Sequence, residues 1–243
     1  MAEVLFISDL HLSAERPDTV QLFLGFLAER APRAETLYIL GDLFDVWIGD
    51  DLDTPPIPQI KAALYSLSQG GTRIHLMHGN RDFLLGERFC AESGCELLPD
   101  PSLTELQGIP TLLMHGDSLC TDDLAYQAFR RQIRDPAFIE HFLSQSIPQR
   151  IATVSEFRNK SGEATSMKAE EIMDVNPQAV ADSMRLHAAQ RLIHGHTHRP
   201  AQHRFELDGR QVRRYVLGEW HADSARILSV DQDGWREETV SPS

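Results

Sequence analysis

The sequence predicts a layered α/β or α+β sheet domain interrupted by inserted helices. Short runs rich in Leu, Ile and Val recur along the chain, a composition suited to strands buried on both faces. Amphipathic stretches lie between several of these runs, as a layered sheet requires. From about Asp122 to Asp174 the rhythm breaks and only helical patterning remains. The length, 243 residues, fits one domain carrying an insertion.

Val4–Ser8 reads as the first strand. Asp18 to Arg30 follows as a helix with Val20, Phe23, Leu24 and Leu27 on one stripe, and Asp18 with Gln21 resembles a capping box that starts it. Thr36–Leu40 is the second strand, Leu52 to Pro58 a proline-rich loop and Arg73–Met77 the third strand. Thr111–Met114 is the next. In the insertion, Asp135-Pro136 signals a helix start ahead of a Phe138, Ile139, Phe142, Leu143 stripe, which is either plain helix core or the wall of an apolar chamber. Ile147, Ile151, Val154 and Phe157 continue at spacings of four, three and three. Asn176-Pro177 opens a further helix as N-cap and first-position proline. Arg191–Ile193, Tyr215–Leu217 and Arg226–Val230 complete the strands. Residues 1–121 and 175–243 thus read as the core, and 122–174 as the insertion.

Composition excludes several classes of function. A hydrophobic fraction of 42% with 24% charged residues is ordinary for a globular chain and rules out full disorder. No apolar run reaches the ~18 residues of a spanning helix, and the N-terminal stretch shows no secretory leader. The three cysteines, Cys90, Cys95 and Cys120, cannot staple a framework and suit a reducing cytoplasm as inert packing residues. A net charge of −13 argues against nucleic-acid backbones as partners. Against that balance, Ala125 to Glu170 holds seven Lys or Arg and five Asp or Glu. The local excess points to an anionic ligand or surface, with chance clustering as the plain alternative.

The chemistry is concentrated directly after the predicted strands. Val4–Ser8 delivers Asp9-Leu10-His11, and Thr36–Leu40 delivers Gly41-Asp42. Arg73–Met77 delivers His78-Gly79-Asn80-Arg81-Asp82, Thr111–Met114 delivers His115-Gly116-Asp117, and Arg191–Ile193 delivers His194-Gly195-His196-Thr197-His198. Strand ends on a rigid scaffold aim their loops at one crevice. Asp9 with His11, and His196 with His198, lie two apart and point the same way on an extended segment. The oxygen and imidazole set favours Mn, Fe or Zn over soft-metal chemistry. A carboxylate such as Asp42 can bridge two cations, which together clamp an in-line displacement at phosphorus. Asp82 and Asp117 are read as carboxylates that orient neighbouring ligands, His78 and His194 as buried supports, and Asp45, Asp50 and Asp51 as a solvated or structural loop.

Taken in order, Asp9-x-His11, Gly41-Asp42, Gly79-Asn80-Arg81-Asp82, His115-Gly116-Asp117 and Gly195-His196-Thr197-His198 resemble the calcineurin-like metallophosphoesterase superfamily. The resemblance implies a four-layer αββα sandwich, two β-sheets flanked by helices, with the insertion as a cap. It implies two divalent cations, Mn2+ foremost, with Asp9, His11, Asp42 and His198 on one and Asp42, Asn80, His115 and His196 on the other. Many members carry histidine after the asparagine where this chain has Arg81. With that departure, the chain resembles the branch that hydrolyses UDP-2,3-diacylglucosamine in lipid A synthesis, over nearly its whole length. That branch implies water activated by two metals attacking the UMP-side phosphorus, with Asp42, Asn80, Arg81 and His196 as catalytic residues. Substrate contacts fall on Asn80, Arg81, Asp123, Ser161, Thr165, Lys168 and His196.

The chemistry agrees. A pyrophosphate leaving group needs little protonation, so the missing histidine acid costs less than it would for an alkyl ester, and an arginine supplies a fixed fork for phosphate oxygens. A diacylated sugar needs an apolar chamber, which the inserted helices provide, and Arg130, Arg131, Arg134, Arg150, Arg158, Lys160 and Lys168 stand available for phosphates or headgroups. The expected setting is peripheral, on the cytoplasmic face of the inner membrane, with no obligate protein partner. The rival readings are a phosphodiesterase for a soluble nucleotide and a non-catalytic scaffold of the same fold.

Overall fold

The computed structural model describes residues 2–166 and 174–242, and the side chains of all of these but 159–166. One sheet is built from β1 (Val4–Ile7), β2 (Thr36–Leu40), β3 (Arg73–Met77), β4 (Cys95–Leu98), β10 (Ala225–Asp231) and β11 (Gly234–Val240), in the order β11-β10-β1-β2-β3-β4. The second holds β5 (Ser102–Leu106), β6 (Ile109–Leu113), β7 (Arg191–His194), β8 (Ala201–Leu207) and β9 (Arg210–Val216), in the order β5-β6-β7-β9-β8. β1, β2 and β3 run parallel to one another, as do β6 and β7. The loops after these five strands carry the five motifs.

Strand alternation makes the layers. Val4 and Phe6 of β1 join Leu40, Met77, Leu113 and Ile193 in a core between the two sheets. Leu5 and Ile7 face the other way, into a second core with Leu37, Ile39 and the buried faces of α1 (Pro17–Glu29), α2 (Ile57–Gln69) and α3 (Glu87–Ser93). On the far side, Leu112 and Leu192 pack against Val180 and Met184 of α7 (Pro177–Leu186). Sheets covered on both faces by these cores form the expected αββα sandwich.

The four strands that escaped the sequence reading are β4, β5, β8 and β11, the four edges of the two sheets. Each has one or no buried residue and mixes polar with apolar side chains, so none gives the continuous apolar run of a strand covered on both faces. β9 begins at Arg210, ahead of the predicted Tyr215, for the same reason.

Two helix starts differ from expectation. α1 begins at Pro17 with Arg16 as N-cap and no side-chain cap bond, so Asp18 and Gln21 do not form a capping box; the proline and the first-turn carboxylate start the helix instead. α2 begins at Ile57 and takes in Pro58, shortening the predicted loop, because proline is tolerated in the first turn. The other two starts agree. Asn176 accepts from the N–H groups of Gln178 and Ala179, and Asp135 from those of Ala137 and Phe138.

Between β6 and α7 lie α4 (Leu124–Ile133), α5 (Pro136–Ser144) and α6 (Ile147–Ser166). Phe129, Phe138 and Phe157 bring the three helices together, with ring centroids 5.2 Å apart for Phe129–Phe157 and 6.3 Å for Phe138–Phe157. Phe138 stacks on the buried Phe142. Arginines then fasten these helices to the core. Arg130 on α4 and Arg134 at its C-cap reach the buried carboxylate of Asp117, at 2.7 and 3.4 Å. Arg150, itself buried, donates to the Ile48 carbonyl and to Asp51, and Arg158 pairs with Asp45 at 2.8 Å. Four of the cations expected to be available for headgroups therefore neutralise core carboxylates, and Arg131 stays exposed. Lys168 lies outside the described residues, as does the side chain of Lys160. No helix among the described residues is long and apolar enough to cross a membrane.

Candidate metal centre

The loops after β1, β2, β3, β6 and β7 meet at one end of the two sheets. Asp9, Asp42 and His115 each offer a ligand atom within 4.8 Å of the others, and so do Asp9, His11 and His198. The Nε2 atoms of His11 and His198 face each other at 3.2 Å, with Asp9 Oδ1 3.3 Å from His198 Nε2. In the other half, Asn80 Oδ1 lies 3.0 Å from His115 Nε2 and 2.9 Å from His196 Nδ1. Asp42 stands between the halves, with Oδ2 3.9 Å from His11 Nδ1 and Oδ1 3.8 Å from His115 Nε2. All seven residues expected to ligate metal thus converge.

The backbone explains how they do so, and it differs from the expected extended pairs. Asp9, His11, Asp42, His196 and His198 all have left-handed φ, between 50° and 66°. The same-face rule for residues two apart on an extended segment therefore does not apply. The turns are held by N–H donation from Leu10 and His11 to the Asp42 carbonyl, and from Asp9 to the Gly41 carbonyl. His196 N–H in turn donates to the Asp9 carboxylate. His196 and His198 consequently serve different halves. Left-handed non-glycine residues cost on the order of 1–3 kcal/mol each and persist where the surrounding structure over-determines them. The motif glycines permit the close approach: a Cβ at Gly79 would collide with the Asp42 carboxylate, and one at Gly195 with Asp9.

Asp82 is a third buried carboxylate of the crevice floor, with Asp9 and Asp42. It accepts from the N–H groups of Gly79 at 2.8 Å and Leu43 at 2.7 Å, binding the Asp42 loop to the Asn80 loop. Asp117 departs from its expected role. It touches the hydroxyl of Tyr126 as well as Arg130 and Arg134, so it anchors α4. Its link to the centre is indirect: Arg134 donates to the Gly79 carbonyl, and the Tyr126 ring stacks on His196. His78 and His194 act as supports, at the Leu85 and Gly195 carbonyls. Asp45, Asp50 and Asp51 form a structural loop: Asp50 accepts from the Trp47 indole and from two N–H groups at the start of α3, while the other two hold α6.

The donor set fits divalent cations. It is oxygen and imidazole with no thiolate. His11 Nδ1 is buried without a hydrogen-bond partner. Asp9, Asp42 and Asp82 are all buried together, and burial, partly offset by His115, pushes the Asp42 carboxyl up to about 7. Carboxylates buried side by side in this way are what cations would stabilise.

Arg81 stands at the rim, 41% exposed, and its backbone N–H donates to Asp42 Oδ1 at 2.8 Å. Its guanidinium lies 4.0 Å from Asp45, which links it to Arg158 of α6. Asp123 caps α4 through the Tyr126 N–H. Of the remaining expected substrate contacts, Lys168 and the side chains of Ser161 and Thr165 lie outside the described residues. A carboxylate outside the motifs also reaches the centre: Glu219, 3.0 Å from Nδ1 of His198. Its only signal in the sequence is the Leu-Gly-Glu-Trp-His stretch after a predicted strand.

Residues 2–200 match the model of the calcineurin-like phosphoesterase family, and the chain belongs to that family. Its curated relatives include a UDP-2,3-diacylglucosamine hydrolase of Pseudomonas paraeruginosa, 53% identical over 96% of this chain and 97% of the relative. Proteins of the same name from Pseudomonas aeruginosa and Stutzerimonas stutzeri are 52% and 50% identical, each over 96% of this chain and 97% of the relative.

Proposed function

We propose that this chain is a UDP-2,3-diacylglucosamine hydrolase of lipid A biosynthesis. It cleaves the pyrophosphate to UMP and 2,3-diacylglucosamine 1-phosphate, by attack of water on the UMP-side phosphorus. The observation that carries this reading is the match to relatives of that name over 96% of the chain, at half or more of the aligned positions. The convergence of seven oxygen and imidazole donors at one crevice supports the chemistry.

In this reading Asp9, His11, Asp42 and His198 hold one cation, and Asp42, Asn80, His115 and His196 the other. Two divalent cations held there, Mn2+ in this reading, would neutralise charge on phosphate oxygens and lower the pKa of the attacking water. The chain's own residues do the rest. Asp42 turns an oxygen to each half and keeps the halves in register. Asn80 and His196 orient the phosphoryl group from the side of the crevice facing α4. Arg81 presents a cationic fork from the rim, where negative charge grows on the phosphate oxygens.

Residues 122–174 act as a lipid-binding cap on the core formed by 1–121 and 175–243. The phenylalanine cluster of α4, α5 and α6 supports that role, and so does the fastening of those helices beside the crevice by Asp117, Asp51 and Asp45. The enzyme works at the cytoplasmic face of the inner membrane, where a diacylated substrate resides. Incubation with UDP-2,3-diacylglucosamine and Mn2+ tests the reading. UMP and the acylated sugar phosphate should appear together, and an unacylated UDP-sugar should turn over poorly. Equal turnover of the two would favour a soluble-nucleotide phosphodiesterase.

Arg81 separates metal holding from substrate handling. A guanidinium cannot ligate a cation, so Arg81→Ala should retain wild-type metal content by elemental analysis. Its turnover should fall about 10²–10³-fold, as when one transition-state donor is removed. A folded variant that has lost its metal would contradict this role.

A further inference from the structure

Glu219 occupies a position that the reaction chemistry does not explain. It lies three residues beyond β9, in a segment whose neighbour Trp220 donates its N–H to the Asp9 carbonyl. Glu219 Oε2 is 3.0 Å from Nδ1 of His198, while Oε1 is 3.4 Å from Nη1 of Arg16. Arg16 is itself fixed: it donates to the Trp220 carbonyl at 2.6 Å and to the Leu10 carbonyl at 3.4 Å, and it caps the start of α1. The Glu219 side chain is 24% exposed, and its second oxygen meets an Arg16 that the Leu10 and Trp220 carbonyls hold in place.

We propose that Glu219 is a positioning residue for one of the two cation sites, acting through His198. The proposal rests on the metal-centre reading above. Glu219 accepts the Nδ1 N–H of His198, which fixes the ring tautomer and turns Nε2 toward His11 Nε2 and Asp9 Oδ1. Arg16 holds the second carboxylate oxygen and so sets the direction of the first. Among the described residues, His115 and His196, which line the other half, meet no such carboxylate: their outer contacts are the Leu40 carbonyl at His115 Nδ1 and the Tyr126 ring against His196. Loss of Glu219 is therefore a loss at one site only.

The experiment is a Mn2+ titration of the metal-stripped full-length protein, with free Mn2+ followed by electron paramagnetic resonance. Wild type should bind two ions. Glu219→Ala should keep one site unchanged and weaken the other about 10–100-fold, the range for removing such an outer partner of a ligating histidine. Glu219→Gln, which keeps an acceptor oxygen, should recover most of that loss. Arg16→Ala leaves the carboxylate in place but unanchored and should shift the same site by a smaller factor, and it carries the test if Glu219→Ala does not fold. Two unchanged sites in the variants, or an equal loss at both sites in folded protein, would overturn the proposal. The wild-type isotherm and its UMP assay test the metal-centre reading separately, since the Glu219 proposal concerns only the difference between variants and wild type.

Discussion

Asp42→Ala should reduce turnover on the order of 10³-fold or more, equivalent to about 4 kcal/mol of barrier. The expectation comes from its place between the halves, with one oxygen 3.9 Å from His11 and the other 3.8 Å from His115. No neighbouring side chain can take over both directions. Asp42→Asn keeps an acceptor for the Arg81 N–H but removes the charge that holds cations, and it should fall with the alanine variant. Asp45→Ala is the control. Asp45 also carries a carboxylate near the crevice, but it serves an ion pair with Arg158 and lies 4.0 Å from Arg81. A partly exposed pair of that kind contributes roughly 0.2–1 kcal/mol, so the loss should stay below about tenfold. The assays are kcat/KM and metal content for both variants, with circular dichroism as the check on folding. Comparable activity in the two would sink the assignment of Asp42.

Shortening the acyl chains of the substrate should also lower turnover strongly. Each buried methylene contributes about 0.8 kcal/mol, so removing four should lower kcat/KM on the order of 10²-fold. The cap predicts where that energy is gained. Phe129, Phe138 and Phe157 join three helices, and Phe138 and Phe157 remain partly accessible while Phe142 is buried behind them. Phe138→Asn and Phe142→Asn should narrow the ratio of efficiencies for long-chain over short-chain substrate, measured below the critical micelle concentration. A wild-type ratio of one would leave the inserted helices as a shield for the crevice with no share in lipid binding.

Much of the fold and nearly all of the centre are legible in the sequence. The reason is physical: strands buried on both faces must be apolar throughout, and their loops must then carry the polar chemistry. The four sheet edges gave no such signal, because their outer residues face water and read as loop. The acidic side chains around the crevice were only half legible. Asp82, Asp50 and Asp51 are structural in ways a spacing cannot reveal, since their partners are N–H groups and arginines on distant elements. Asp117 follows His115 by two residues yet works mainly for α4. The candidate ligands two apart, Asp9 with His11 and His196 with His198, take left-handed turns that no residue-type pattern announces. Glu219 escaped because its partner His198 lies across two strands from it.

The central claim is hydrolysis at the UMP-side phosphorus of UDP-2,3-diacylglucosamine, and hydrolysis in H2(18O) tests it most directly. After a single turnover the two products are separated and weighed by mass spectrometry. The account predicts one 18O atom in UMP and none in 2,3-diacylglucosamine 1-phosphate. Label in the sugar phosphate, or UDP with free diacylglucosamine as the products, would contradict it.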